Sequence, residues 1–221
     1  MRASSEAALK LKQAQPKRTM PYSTFTTLAE VQEAFGLQLE NLSGLFRQVQ
    51  AREPSPQLQA ALAENTELAL SIASEKARSE LIVTPILLEV RRLVKTDLSY
   101  FSGVSLNVEP SIGLNGECDF MFSRSSNQFE VSSPVVTIVE AKRNDISSGL
   151  GQCAAQMVGA QKFNERKGDP QTTILGGVTT GEVWRFLLLK DNVIQVDLSS
   201  YYLHQLPDIL GILVSPFVVE V

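Results

Sequence analysis

The chain of 221 residues contains one histidine, His204. That scarcity leaves a His-ligated zinc site or a Ser-His-Asp triad without its parts. Two cysteines, Cys118 and Cys153, exclude a disulfide scaffold and suit a reducing compartment. No apolar run reaches the ~18–20 residues of a membrane-spanning helix, because Glu, Arg or Pro breaks every long stretch. The opening Met1-Arg2-Ala3-Ser4-Ser5-Glu6 leads into Lys10, Lys12, Lys17 and Arg18 with no apolar segment, unlike a secretory signal. The expectation is a cytoplasmic protein without a membrane partner. No Gly-Lys-Ser/Thr occurs, so the chain has no P-loop. A basic excess is missing too: 20 Lys and Arg against 24 Asp and Glu give a net charge of −4, which does not advertise nucleic-acid binding. Between Glu140 and Lys167 the balance is locally basic, through Lys142, Arg143, Lys162, Arg166 and Lys167. A solvated helix end explains that surplus equally well. Any chemistry must come from carboxylates, lysines and amides.

What is present describes an ordinary globular chain, 43% hydrophobic with a mean hydropathy of zero, long enough for one filled core plus an appendage. Residues 1 to about 22 are polar, with Pro16 and Pro21, and read as an arm. Thr27 with Glu30 three residues on predicts a capping box ahead of Leu28, Val31, Ala34 and Phe35 at helical spacing. Ser43 to Val49 is a second short helix candidate. Ser55-Pro56 supplies an N-cap and a first-position proline. From there to about Val94 the absence of glycine predicts one or two long helices, kinked near Pro85 or interrupted around residues 71–74. The division expected is an N-terminal arm with short helices over 1–55 and an α/β domain over 56–221.

After Asp97 the pattern becomes strand-like. Tyr100 to Val108 alternates, Asn115-Gly116 predicts a hairpin turn, and Glu117 to Ser123 is the returning strand. Val135 to Val139 is the apolar run of a strand buried on both faces. Ile146 to Arg166 reads as a helix, followed by strands over 172–178, 182–189 and 192–198 and an apolar tail from Leu206. The expected fold is α/β: a mixed sheet with a crossover helix between its third and fourth strands.

Two charged spots fall inside these apolar strands. Glu140 and Lys142 at the end of the buried strand point to one side, since side chains alternate with a period of two. Asp119 lies in the preceding strand between Cys118 and Phe120, and Glu117 shares its strand face. Charges in such places incur a desolvation penalty that needs a reason. If the two strands are neighbours, Asp119 and Glu140 approach closely enough to chelate a hard cation such as Mg²⁺. On the following helix Gln152 and Gln156, four apart, share a face.

The ordered set Asp119, twenty residues, Glu140-Ala141-Lys142 and then Gln152 on a helix resembles the PD-(D/E)XK nuclease superfamily. The element order α-β-β-β-α-β over about 74–178 resembles its restriction-endonuclease-like core. Ser74-Glu75-Lys76-Ala77-Arg78-Ser79-Glu80-Leu81-Ile82, continuing to Pro85-Ile86-Leu87, is similar to the opening helix of the nuclease domain of type I restriction subunits. The resemblance covers roughly half the chain, with extra helices at the N-terminus. It implies a metal-dependent endonuclease acting on DNA. Asp119, Glu140 and the Ala141 carbonyl would be ligands of Mg²⁺, with Mn²⁺ a substitute. Lys142 would orient or deprotonate the attacking water and stabilise charge in the transition state, and Gln152 would be the accessory residue. The first-helix carboxylate would be Glu75 or Glu80, with Glu80 favoured as a metal ligand. Five residues apart, they stand about 140° apart on an α-helix, too far to serve one site. Two positions depart from the family: Cys118 replaces the proline before the aspartate, and Gln156 replaces a tyrosine often found four residues after the glutamine.

The alternatives are a nuclease-like binding or assembly module without catalysis, or a subunit whose partner protein supplies DNA binding or translocation. A homodimer suits a nuclease that cuts two strands. A basic groove at the cluster would favour catalysis and an acidic rim the module. Without the cluster, Glu140 and Lys142 would read as a strand-end ion pair; Trp184 reads as core, and His204 as a packing or surface residue.

Overall fold

The computed structural model describes residues 21–170 and 173–218; most of the sequence-expected arm, the first residue of the 172–178 strand and the last three residues lie outside them. The described residues form a mixed α/β structure built on an eight-stranded sheet with helices on both faces. The strands are β1 (Gln38–Leu42), β2 (Ser99–Ser105), β3 (Glu117–Ser123), β4 (Val135–Ala141), β5 (Thr173–Thr179), β6 (Val183–Lys190), β7 (Val193–Asp197) and β8 (Tyr201–Tyr202). They lie in the order β1-β7-β6-β5-β4-β3-β2, with β8 pairing β6 beside this path. Two pairs are parallel, β4 with β5 and β1 with β7, and the rest are antiparallel.

The β4–β5 crossover is made by α5 (Ser147–Arg166), which covers one sheet face. All seven residues of β4 are buried, as an apolar run flanked by strands on both edges and helices on both faces requires. The opposite face packs against α2 (Pro56–Ile72), α4 (Thr84–Leu93) and α6 (Leu206–Val214). Trp184 lies in that second core with no exposure, its indole N–H donating to the Gly181 carbonyl. His204 is exposed and stacks on Tyr202. Among the described residues no helix is long and apolar enough to cross a membrane.

Local signals near the N-terminus behave as their chemistry dictates. Thr27 accepts from the Glu30 N–H while the Glu30 carboxylate accepts from the Thr27 N–H, closing the capping box of α1 (Leu28–Phe35). Ser55 caps α2 with Pro56 at its first position.

Two expectations are corrected, and the helix break expected around residues 71–74 is found. Ser43 to Val49 forms turns rather than a helix, and Gln38–Leu42, unremarkable in sequence, is the edge strand β1. The Asp197 carboxylate holds the turn by accepting from the Gly44 N–H. The β2–β3 connection is not a tight Asn115-Gly116 hairpin: it runs over residues 106–116 through a 3₁₀ turn at Pro110–Ile112, closed by a Glu109–Leu114 bridge. After Ala73, left-handed at φ 54°, ends α2, the chain continues as α3 (Glu75–Arg78). A π-helical turn over Ser79–Val83 then leads into α4. Pro85 supplies the reason for that turn. In a continuous α-helix its ring would collide with the carbonyl four residues back, and the wider winding removes the conflict.

The outer side of α5 is crossed by a strap, residues 21–27. Its buried Tyr22 donates its hydroxyl to the Leu106 carbonyl and its N–H to the Asn115 carbonyl. The strap passes so close that a methyl group at Gly151 would stand 2.5 Å from Thr27 N and 2.8 Å from Phe25 O. Gly151→Ala therefore forces backbone apart, and a loss of about 2 kcal/mol in urea unfolding is expected. An unchanged midpoint would mean that the strap yields freely.

Candidate functional site

Strands β3 and β4 pair through Phe120↔Val139, Met121↔Ile138 and Phe122↔Thr137. Beyond Phe120 and Val139 the ladder gives way to side chains. The Ala141 N–H donates to Asp119 Oδ2 at 2.8 Å, in place of a main-chain acceptor on β3. On its other edge β4 continues, with Ala141 opposite Thr179 and the Lys142 N–H donating to the Thr179 carbonyl at 2.8 Å. The strand end is thus rigid on the β5 side and opened on the β3 side by an aspartate.

Glu140 on β4 and Lys142 just past its end both meet α5. Lys142 Nζ donates to Glu140 Oε1 at 2.7 Å and to Gln152 Oε1 at 3.2 Å. Gln156 Nε2 donates to Glu140 Oε2 at 2.9 Å. The helix approaches closely because residue 149 is glycine, where a methyl would stand 2.6 Å from Val178 Cγ1 and 3.0 Å from Lys142 Cγ. The structure brings Asp119, Glu140, Lys142 and Gln152 together. Glu117 does not join them: its side chain is exposed and lies near Gly103 of β2, while its backbone carbonyl accepts from Gln156 Nε2 at 3.4 Å.

The first-helix glutamates come out differently from the expectation. Glu75, at the start of α3, acts electrostatically on both Asp119 and Lys142. Glu80 is engaged with Lys76 at 2.9 Å on the surface. Both nevertheless line one cleft of about 250 Å³, together with Lys76, Ser79, Thr84, Ser102 and Asp119. The 140° separation therefore does not keep them from sharing that cleft: their side chains reach it from α3 and from the start of the π turn. Arg78 pins this segment to the β5–β6 turn, donating to the Thr180 carbonyl and to Glu182.

Electrostatics follow from burial. The Glu140 carboxyl, 1% exposed, is pushed up to about 7, first by loss of water and then by Asp119, with Lys142 and Gln156 opposing. Asp119 is also raised, by burial first, against the pull of the Ala141 N–H and Lys142. For Lys142 burial acts downward, but the charge and hydrogen bond of Glu140 outweigh it, so the ammonium stays protonated at neutral pH. Two repelling carboxylates beside one cation form a site whose charge balance a further cation would complete.

Among the described residues no three His, Cys, Asp or Glu side chains gather as a metal-holding group. The set at the strand ends, two carboxylates and the peptide carbonyl of Ala141, is nonetheless of the kind Mg²⁺ uses, since that ion keeps most of its waters and takes few protein ligands. All-oxygen donors exclude a preference for soft metals. The two cysteines nearby are buried free thiols, raised by burial, and read as packing. Sequence reasoning passed over two contributions: the bond of Gln156 to Glu140, a position noted only for its helix face and as a departure from the family's tyrosine, and Gly149, which no residue pattern distinguishes from a packing glycine. The chain matches no protein-family model and no curated protein.

Proposed function

We propose that this chain is a Mg²⁺-dependent endonuclease that hydrolyses phosphodiester bonds in DNA, built on a restriction-endonuclease-like core of the PD-(D/E)XK type. The observation that carries the reading is the convergence of Asp119, Glu140, Lys142 and Gln152 where β3 and β4 separate. In this reading Asp119, Glu140 and the Ala141 carbonyl hold the cation, and Glu75 takes the outer carboxylate position in preference to Glu80. When bound, Mg²⁺ supplies charge neutralisation at the phosphate and a lowered pKa for water.

The chain's own residues do the rest. Lys142, charged and steered by Glu140 and Gln152, donates to a phosphate oxygen as negative charge develops. Its protonated state assigns it to orientation and charge stabilisation rather than proton removal. Gln152 sets the ammonium's direction, and with Glu140 the other acceptor one N–H is left for the phosphate. The buried strand β4 fixes both side chains against drift, which positional catalysis requires.

The test is nicking of supercoiled plasmid with Mg²⁺ by wild type and Lys142→Ala, beside calorimetric Mn²⁺ binding. Wild-type nicking reduced about 10²–10³-fold in the variant, with Mn²⁺ binding retained, fits the assignment. Equal nicking by both proteins would point to a contaminating nuclease and sink it.

One observation favours a second reading. The cleft beside Asp119 is rimmed by Glu75 and Glu80 with only Lys76 opposing them, and such a rim repels a phosphate backbone. A nuclease-like assembly module, or a subunit whose partner supplies DNA binding, suits that rim. Metal binding without cleavage of any nucleic acid would select it. Self-association as a homodimer belongs to the catalytic reading and is checked by sedimentation.

A further inference from the structure

We infer that Gln156 is a positioning residue that sets the gap between the two carboxylate-bearing strands and fixes the orientation of Glu140. The inference rests on the reading that Asp119 and Glu140 hold a cation.

The geometry begins with two repeats of similar length. Residues four apart on a helix are separated by about 6 Å along its axis, and residues two apart on a strand by about 6.6 Å. Gln152 and Gln156 of α5 therefore meet Lys142, just past β4, and Glu140 of β4 rung for rung, in antiparallel order. Gln152 reaches the partly exposed lysine; Gln156, with no exposed surface, reaches the buried glutamate.

The amide of Gln156 does more than touch Glu140. Its two N–H groups divide between strands, one to Glu140 Oε2 on β4 at 2.9 Å and one to the Glu117 carbonyl on β3 at 3.4 Å. These lie just past the last main-chain rung at Phe120↔Val139, where nothing in the ladder holds the strands at a set distance. Asp119 makes the companion tie from β3 to the Ala141 N–H. With Oε1 engaged by Lys142 and Oε2 by Gln156, each Glu140 oxygen keeps a further lone pair whose direction is fixed.

The cost of this arrangement is visible. Gln156 Oε1 is buried and, among the described residues, has no hydrogen-bond partner. A residue serving packing alone would avoid that, since an apolar side chain of the same length carries no orphaned acceptor. Tolerating it is intelligible if the N–H groups do work on the site. Metal centres behave this way: residues that hold a ligand from behind contribute typically 10–100-fold in affinity.

The experiment is calorimetric Mn²⁺ binding by the full chain, with metal-free thermal unfolding alongside, for wild type, Gln156→Leu and Gln156→Met. Mn²⁺ affinity reduced 10–100-fold in both variants is expected, with metal-free melting lowered modestly because Glu140 Oε2 and the Glu117 carbonyl lose their donor. A purely structural glutamine would lower melting and leave the affinity of the folded protein at the wild-type value. Wild-type affinity in either folded variant would therefore overturn the inference. Wild type that binds no Mn²⁺ would remove the cation reading itself and this inference with it, an outcome distinct from variants that bind as well as wild type.

Discussion

Asp119→Ala and Asp119→Asn are both expected to lose Mn²⁺ binding and plasmid nicking while differing in stability. The carboxylate has two tasks in the structure, and the pair of substitutions separates them. One task is charge: Asp119 is the β3 partner of Glu140 in the proposed cation site, and its removal leaves a single protein carboxylate there. The other is structural, since Oδ2 accepts from the Ala141 N–H at the point where the strand ladder stops. Alanine removes both. Ala141 is 3% exposed, so its N–H is left without a partner and about 1–3 kcal/mol of stability is lost. Asparagine keeps an acceptor oxygen and holds most of that stability, but not the charge. Urea unfolding should order the proteins as wild type and Asn together with Ala below, whereas calorimetry should place Asn with Ala. Asn retaining wild-type metal affinity would remove Asp119 from the ligand set.

Glu140→Gln is expected to flatten the pH dependence of stability. The Glu140 carboxyl is raised from its ordinary value of 4.5 to about 7, so between those limits the folded protein holds a proton that the unfolded chain has released. Stability linked to this group is full below pH 4.5 and is lost as pH rises through 7. The loss reaches at most about 3 kcal/mol. Asp119, also raised by burial, contributes with the same sign at lower pH. Lys142 stays charged throughout and adds no slope between pH 5 and 8. Wild type should therefore melt lower at pH 8 than at pH 5, with Glu140→Gln flatter and above it at pH 8. Added Mg²⁺ should raise wild type at pH 8 and leave the variant unmoved, because a cation stabilises the ionised carboxylate that burial penalises. A wild-type curve that rises between pH 5 and 8 would contradict the environment described for Glu140.

The parts of the fold legible in the sequence are those governed by local periodicity. Strand β3 begins and ends where alternation predicts, and β4 extends its apolar run only by Glu140 and Ala141. The charges embedded in these strands, with α5 following β4, marked the end of the sheet where Asp119, Glu140, Lys142 and Gln152 meet. What escaped depends on distant partners. The strand β1 reads Gln-Leu-Glu-Asn-Leu, with no β-branched residue, and is a strand because β7 lies beside it. That Glu75 and Glu80 share one cleft depended on where β2 and β3 lie against this segment, and the π turn after α3 is announced in the sequence only through the indirect conflict at Pro85. The bond from Gln156 to Glu140 needed the distance between α5 and β4, which Gly149 sets by having no side chain.

The pairing of β1 with β7 also bears on how the chain reaches its structure. Residues 38–42 add to the sheet in parallel beside residues 193–197, a contact across most of the chain, and loop closure of that length makes such contacts late and slow. The strands and helix that carry the candidate site lie between residues 117 and 166, within reach of one another by short connections. During synthesis this central unit can assemble while β1 still waits for its neighbour to leave the ribosome. The expected order of events runs from the middle of the sheet outward, with the β1 edge sealed last by β7.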